Sequence, residues 1–264
     1  MLDFFYNTTN IKNVQDVDIK NLNPKHLAEL KNSGICDSII TINFSSHYGE
    51  ETRELLLSES VSKLGEGKQT PHLFQYVTSE VQRIFRMYSH IEKGGWWCAG
   101  LDPFKNWEKM EWGCFKPDHP RSDLVKGKLI KYEHPPKTPT RAFFLDVPDD
   151  IWEMVSVRNN IPKGEYSSFW QWVKNNNVPI AITEGAKKAA ALLSVGIPAL
   201  ALPGINSGYR KVDDKNKILI PELEIIASIN RKVIIAFDVD IKFETVKAVR
   251  TAIKSLGGLL TDKG

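Results

Sequence analysis

Three short apolar runs, separated by amphipathic helical patterns, constrain the fold of this chain more than any other feature. The runs are residues 180–182, 199–202 and 232–237. Between them and after the last one, apolar residues recur every three or four positions, as in a helix that packs by one face. Apolar strands that alternate with such helices are typical of a parallel sheet covered on both faces. The sequence therefore predicts an α/β unit here.

The preceding part of the chain has a different pattern, which predicts an α+β unit with antiparallel strands. In residues 94–147, Gly and Pro separate short runs rich in aromatic and β-branched side chains, as in strands joined by turns. Helical spacing occurs in residues 78–90 and 150–177. We divide the chain into a loose N-terminal arm (residues 1–20), an α+β unit (residues 21–177) and an α/β unit (residues 178–264).

Composition excludes several classes of protein. The chain has 264 residues, of which 42% are apolar and 25% are charged, a mix typical of globular proteins. It contains no apolar run of about 18 residues and no signal-peptide pattern at its start. Its three cysteines form no C-x-x-C pair, which predicts neither a disulfide framework nor a zinc ribbon. We therefore expect a cytoplasmic protein without a membrane partner.

Positive charge is concentrated in one segment. The net charge of the whole chain is only +3, whereas residues 116–141 hold seven Lys or Arg and three acidic residues. This excess predicts a contact with nucleic acid or nucleotide, with a solvated basic hairpin as the alternative. Four tryptophans (Trp96, Trp97, Trp107 and Trp112) fall in residues 94–147. They fit a hydrophobic core better than a base-stacking surface.

Acidic residues follow two of the three apolar runs. Glu184 comes after the first run, and Asp238 and Asp240 come after the third. In open parallel sheets, functional groups gather at the carboxyl ends of the strands. A single acid there commonly caps a helix, but two aspartates spaced i, i+2 point the same way along an extended segment. Carboxylates held together repel each other unless they bind a cation such as Mg²⁺, so the pattern predicts phosphoryl chemistry.

These residues lie in motifs that resemble a known family. Residues 183–189 (TEGAKKA), 202–204 (LPG) and 236–240 (AFDVD) strongly resemble the Toprim domain of bacterial-type primases. Upstream, residues 127–136 (GKLIKYEHPP) resemble the Lys-Tyr strand and loop that precede Toprim in those primases. The block 94–147 is similar to Toprim-containing plasmid replication proteins of cyanobacteria. The resemblance implies a Toprim-like parallel sheet flanked by helices, preceded by a primase-like α+β subdomain.

The resemblance also implies roles for individual residues. It makes Glu184 the general acid/base and makes Asp238 and Asp240, together with Glu184, the ligands of Mg²⁺ or Mn²⁺. It places Arg121, Lys131 and Tyr132 near the incoming nucleotide or the template. For three further lysines two interpretations stay open, contact with substrate phosphates or a solvated face: Lys187, Lys188 and Lys242.

The implied function is that of a primase-like replication protein of plasmid type, which joins nucleoside triphosphates on single-stranded DNA. A Toprim nuclease and a non-catalytic nucleic-acid-binding fragment remain alternatives. Three features depart from the family pattern: there is no N-terminal zinc module, no Walker motif, and no further strand before Gly264. We therefore expect a Toprim unit truncated at its C-terminal end, with a replicative helicase as a possible partner.

Overall fold

The computed structural model describes residues 22–65, 79–123, 127–213, 216–238 and 241–264, and the predicted N-terminal arm lies outside them. The described residues form the mixed α/β fold that the sequence predicts. The helices are α1 (Pro24–Asn32), α2 (Asp37–Asn43), α3 (Glu51–Gly65), α4 (Ser79–Met87), α5 (Asp149–Asn159), α6 (Phe169–Asn175), α7 (Ala186–Ser194), α8 (Pro221–Ile226) and α9 (Phe243–Lys263). The strands are β1 (Phe44–His47), β2 (Gly95–Asp102), β3 (Glu108–Pro117), β4 (Ile180–Glu184), β5 (Ala199–Leu202), β6 (Tyr209–Lys211), β7 (Lys217–Leu219) and β8 (Val233–Ala236).

The first sheet is antiparallel, with the strand order β1-β2-β3. Because side chains alternate along a strand, its two faces pack against different layers. Trp96 and Trp112 belong to the main hydrophobic core, whereas Trp97 and Phe115 pack with apolar residues of α3 and α4. All three of these tryptophans are at least 93% buried, and Trp107 packs against the main core. The tryptophans therefore serve the core, as predicted.

The second sheet is parallel, with the strand order β5-β4-β8. Strands β4 and β5 are almost fully buried, because α7 packs its alanine-rich face against them. The edge strand β8 is more open, and its Ile234 is 48% exposed. The expected cover on both faces of the sheet therefore holds for β4 and β5 but not for β8.

An extended segment, residues 142–145, joins the two sheets. Phe143 exchanges two backbone hydrogen bonds with Ala201 of β5 (2.8 and 3.1 Å), and the Phe144 carbonyl accepts one from the Leu101 amide of β2 (2.7 Å). Residues on both sides of position 178 therefore share one hydrophobic core. The division of the chain at residues 177 and 178 remains a prediction.

Two stretches differ from the sequence prediction. Residues 205–231, expected to be a long connection, contain the antiparallel hairpin β6–β7 and the helix α8. Residues 150–177, expected to be helical throughout, form two helices separated by a non-helical stretch around Gly164, which has a φ of +61°. The hairpin and α8 were missed because elements of three to six residues show little periodicity. The break near Gly164 arises because a positive φ is a turn conformation that glycine adopts readily and a helix does not contain.

Candidate functional site

The register of the parallel sheet places two of the predicted acidic residues at the same edge. Thr183 of β4 pairs with Ala236 of β8, and the Thr183 hydroxyl donates a hydrogen bond to the Ala236 carbonyl (2.9 Å). Glu184 and Asp238 therefore follow neighbouring strands at their carboxyl ends. This is the arrangement that the sequence predicted for these two residues.

Gly185 turns the chain from β4 into α7. Its φ is +80°, a conformation that favours glycine, and its amide donates a hydrogen bond to the Leu202 carbonyl (2.8 Å). A side-chain carbon added here would meet no atom within 4 Å. Backbone conformation, rather than crowding, is therefore the reason for glycine at this position.

A cavity of about 120 Å³ adjoins this turn and is lined by residues from both sides of position 178. They are Cys114, Tyr132, His134 and Phe143 before it, and Glu184, Gly185, Ala186, Lys187, Lys188 and Pro203 after it. Tyr132, which the resemblance places near nucleotide, thus lies beside Glu184. Desolvation raises the pKa of Tyr132 to about 12, with smaller contributions from Cys114 and Glu29. Its hydroxyl therefore remains protonated at neutral pH.

Lys188 connects the cavity to Asp238. Its ammonium donates a hydrogen bond to Asp238 Oδ2 (2.5 Å), although both side chains are substantially exposed. An ion pair this exposed contributes at most about 1 kcal/mol, so the pair can open at little cost. The Glu184 side chain has no hydrogen bond or ion pair among the described residues, so its carboxylate is free to bind a ligand.

The predicted metal site is described only in part. Asp240 lies outside the described residues. Within the described residues, no group of three or more His, Cys, Asp or Glu side chains is arranged to hold a metal ion. The assignment of Glu184, Asp238 and Asp240 as ligands therefore stays a prediction.

Lys187 is less exposed than the sequence predicted, because it is tied to α1. Its ammonium donates hydrogen bonds to Glu29 Oε1 (2.7 Å) and to the Ser33 hydroxyl (3.3 Å), and its side chain is only 22% exposed. Lys116 donates to the other oxygen of Glu29 (2.5 Å). Burial acts to raise the pKa of Glu29, but the hydrogen bonds from Lys116 and Lys187 lower it overall. Lys187 thus lines the cavity as a cation whose position is fixed by its hydrogen bonds to α1 and to Ser33.

Arg121 has an internal partner and does not line the cavity. Its guanidinium donates two hydrogen bonds to the carboxylate of Glu133 (2.7 and 3.0 Å) and lies 4.8 Å from the ring centre of Tyr88. His90 lies 3.2 Å from the same carboxylate, which is only 4% exposed. Lys131, by contrast, is exposed, and Lys242, which lies outside this segment, is also at the surface. The basic segment therefore combines a structural ion pair with residues at the surface.

His134 is a cavity residue to which the sequence analysis assigned no role. Its ring stacks on Trp112, with ring centres 5.1 Å apart, and its Nδ1 lies 3.1 Å from the Gly113 carbonyl. Burial lowers the pKa of this imidazole, so it is neutral at physiological pH. With Nδ1 donating to the carbonyl, Nε2 is an acceptor. The i, i+2 spacing from Tyr132 was the available signal, since such residues share one side of an extended segment.

Stability should fall in acid because of the Glu133 network. Burial acts to raise the pKa of Glu133, but the nearby His90 imidazole and the hydrogen bonds from Arg121 lower it overall. The unfolded chain therefore binds this proton more readily, and the stabilisation is lost as the pH falls from about 4.3, the ordinary Glu value, through the folded pKa. We expect Glu133→Gln to flatten the dependence of unfolding free energy on pH below about 4.3, as measured by denaturant unfolding. An unchanged pH dependence would contradict this prediction.

Comparison with known proteins gives three similarities. Residues 169–264, which include Glu184, Asp238 and Asp240, match the family profile of a domain of unknown function (DUF3854). Over 246 residues the chain is 38% identical to an uncharacterized protein of Picosynechococcus sp. (strain ATCC 27264 / PCC 7002 / PR-6), and the alignment covers 89% of this chain and 23% of that protein. The chain therefore spans less than a quarter of this relative.

The third similarity is to a solved structure, the crystal structure of the Aquifex aeolicus primase (zinc-binding and RNA polymerase domains). The TM-score is 0.45 at 15% sequence identity, and the match covers 92% of this chain and 48% of that chain. Separately, no described helix is both long and apolar enough to cross a membrane.

Proposed function

We propose that this chain is the nucleotidyl-transfer part of a primase-like replication protein, which makes short primers on single-stranded DNA with Mg²⁺ or Mn²⁺. The observation that carries the proposal is the shared edge of the parallel sheet. There Glu184 and Asp238 follow adjacent strands, and a cavity joins Glu184 to Tyr132 of the Lys-Tyr segment. The resemblance of both segments to Toprim primases gives this geometry its interpretation. Plasmid replication and a helicase partner belong to the same proposal.

The residues present fit a hard divalent cation. Glu184 offers a carboxylate without a described partner, and Asp238 is neutralised only by an exposed lysine that can move away. Asp238 and Asp240 would hold the ion together with Glu184. When bound, the ion would neutralise charge that develops on the transferred phosphate. Lys188, displaced from Asp238, would be available to the same phosphates.

Other side chains would orient the reactants. Glu184 would accept the proton of the attacking 3′-hydroxyl, a role that needs an ionised carboxylate within hydrogen-bonding reach. Lys187 is held by Glu29 and so offers a positive charge at a defined place in the cavity wall. Tyr132 retains its proton and can donate a hydrogen bond to a ligand. Lys131 and Lys242 would meet the nucleotide or template at the exposed rim.

The size of the cavity indicates what part of a substrate it accepts. Pockets that enclose a small-molecule ligand typically measure about 300–1,000 Å³. At about 120 Å³, this cavity is too small for a whole nucleoside triphosphate. It suits one phosphate group or the reacting end of a nucleic-acid strand, while the rest of the substrate would lie on the open surface.

One assay tests the proposal against its alternatives. The chain is incubated with circular single-stranded DNA, ribo- or deoxynucleoside triphosphates, and Mg²⁺ or Mn²⁺, and the products are separated by size. Labelled primers that disappear in Glu184→Gln would support the proposal. Linearised circles would favour the Toprim nuclease, and binding without either product would favour a non-catalytic nucleic-acid-binding fragment.

A further inference from the structure

Helix α9 carries an exposed stripe that the site described above does not use. The stripe consists of Phe243, Lys247, Arg250 and Lys254, which follow one another at i, i+4, i+7 and i+11 and so share one helical face. Phe243 is 76% exposed, and the three basic residues are exposed as well. At about 1.5 Å per residue, the stripe is roughly 16 Å long.

The charges of this stripe are not neutralised within the described chain. Lys247, Arg250 and Lys254 have no ion pair or hydrogen bond from their side chains among the described residues. The acidic residues of α9 are Glu244 and Asp262, which lie about 100° around the helix from Phe243. The stripe therefore presents an exposed aromatic ring followed by three positive charges in line.

The hairpin β6–β7, which packs against α9, carries further exposed cations. Lys217 of β7 donates a hydrogen bond to Ser255 of α9 (2.9 Å), which fixes the hairpin against the helix. The adjacent strand β6 exposes Arg210 and Lys211. Five exposed cations thus lie on two elements that pack together.

We propose that the α9 stripe is a docking surface for single-stranded nucleic acid, with Phe243 stacking on a base and the three basic residues contacting successive phosphates. The proposal rests on the proposed function, because it supplies a path for the strand that the carboxylates act on. Phe243 follows Asp238 by only five residues in the sequence, so the stripe begins a short length of chain after the carboxylate at the sheet edge. Aromatic stacking combined with phosphate contacts is the general mode of binding to single strands.

An anionic membrane surface is the other polyanion to consider, and the packing of α9 argues against it. A helix that lies in a membrane interface inserts an apolar face. The apolar face of α9 is already buried in the protein core through Ala252, Leu256 and Leu260. The large apolar side chains that α9 leaves exposed are only Phe243 and Ile253, too few for an inserting apolar face, whereas Lys247, Arg250 and Lys254 complement a phosphate backbone.

The test measures binding without catalysis. A fluorescein-labelled oligo-dT is titrated in EDTA at several salt concentrations, and affinity is read from fluorescence anisotropy. Each phosphate contact on a single strand contributes about 0.7 to the slope of log affinity against log salt. We expect the triple variant Lys247→Ala, Arg250→Ala, Lys254→Ala to flatten this slope by about 2. Phe243→Ala should weaken binding about 5- to 140-fold, which corresponds to one stacked base.

A matched control removes the same charge elsewhere. The triple variant Lys93→Ala, Lys105→Ala, Lys174→Ala also loses three exposed lysines, and it should keep the wild-type slope. Circular dichroism checks the folding of each variant, and the three single α9 variants should each flatten the slope by about 0.7. An unchanged slope in the α9 triple variant, or equal flattening in the control, would overturn the proposal.

The remaining outcomes separate this inference from the proposed function. Wild-type protein that sediments with anionic phospholipid vesicles but does not bind oligo-dT would overturn the docking surface in favour of a membrane. If wild-type protein made no primers while the α9 variants still lost binding, the docking surface would stand and the proposed function would fail.

Discussion

Replacing Glu184 by Gln is expected to reduce metal-dependent primer synthesis by about 10²- to 10⁴-fold, the range that a positioned general base contributes. Asp238→Asn should cause a comparable loss, because an amide is a weaker ligand for a divalent cation than a carboxylate. Both variants should fold, since Glu184 has no described partner and the Asp238–Lys188 pair is exposed. Product yield by gel electrophoresis and thermal unfolding would measure the two effects separately.

A suitable control for these variants is Glu224→Gln. Glu224 is also a partly exposed carboxylate in an ion pair with a lysine, Lys263, but it lies on α8 rather than at the sheet edge. It should retain full activity. If Asp238→Asn and Glu184→Gln also retained full activity, the carboxylates at this edge would not be the catalytic groups.

Replacing Arg121 by Ala is expected to destabilise the fold by about 3 kcal/mol. Removal of one partner of a buried ion pair typically costs about 3–5 kcal/mol, and the lower end applies because the Arg121 side chain is 27% exposed. The cost arises because Glu133 would keep a buried charge with only His90 beside it. Unfolding by urea, followed by circular dichroism, measures the change.

Lys131→Ala is the natural control, since Lys131 is exposed and should change stability by no more than about 0.5 kcal/mol. Equal stability of the two variants would contradict the structural role of Arg121. A variant that replaces both Arg121 and Lys131 would lose stability and a nucleotide contact together, so the two effects could not be separated. Nucleotide binding in this segment is therefore better tested with Lys131→Ala alone.

Much of the α/β unit could be predicted from local patterns. The buried strands β4 and β5, and the helix α7 between them, are long or apolar enough to show their periodicity. The hairpin β6–β7 and helix α8 were missed, because each spans only three to six residues. The openness of β8 was missed as well, since an apolar run does not reveal which other elements cover its strand.

The candidate site shows a similar division. The placement of Glu184 and Asp238 followed from the rule that parallel strands end at a common edge. The partners of the basic residues did not follow, because Arg121 pairs with Glu133 and Lys187 pairs with Glu29 only when distant segments meet. His134 was overlooked as a cavity residue for the same reason.

The sequence by itself determined which side chains lie at the ends of the strands and that α7 is a helix with one apolar face, because these properties depend on neighbours within a few residues. Only the tertiary structure decided which charged residues are free and which are held. It also decided that Tyr132 and Glu184 share a cavity, through the hydrogen bonds of Phe143 with Ala201. The physical reason is range: periodicity is local, whereas ion pairs and cavities depend on contacts between residues far apart in the chain.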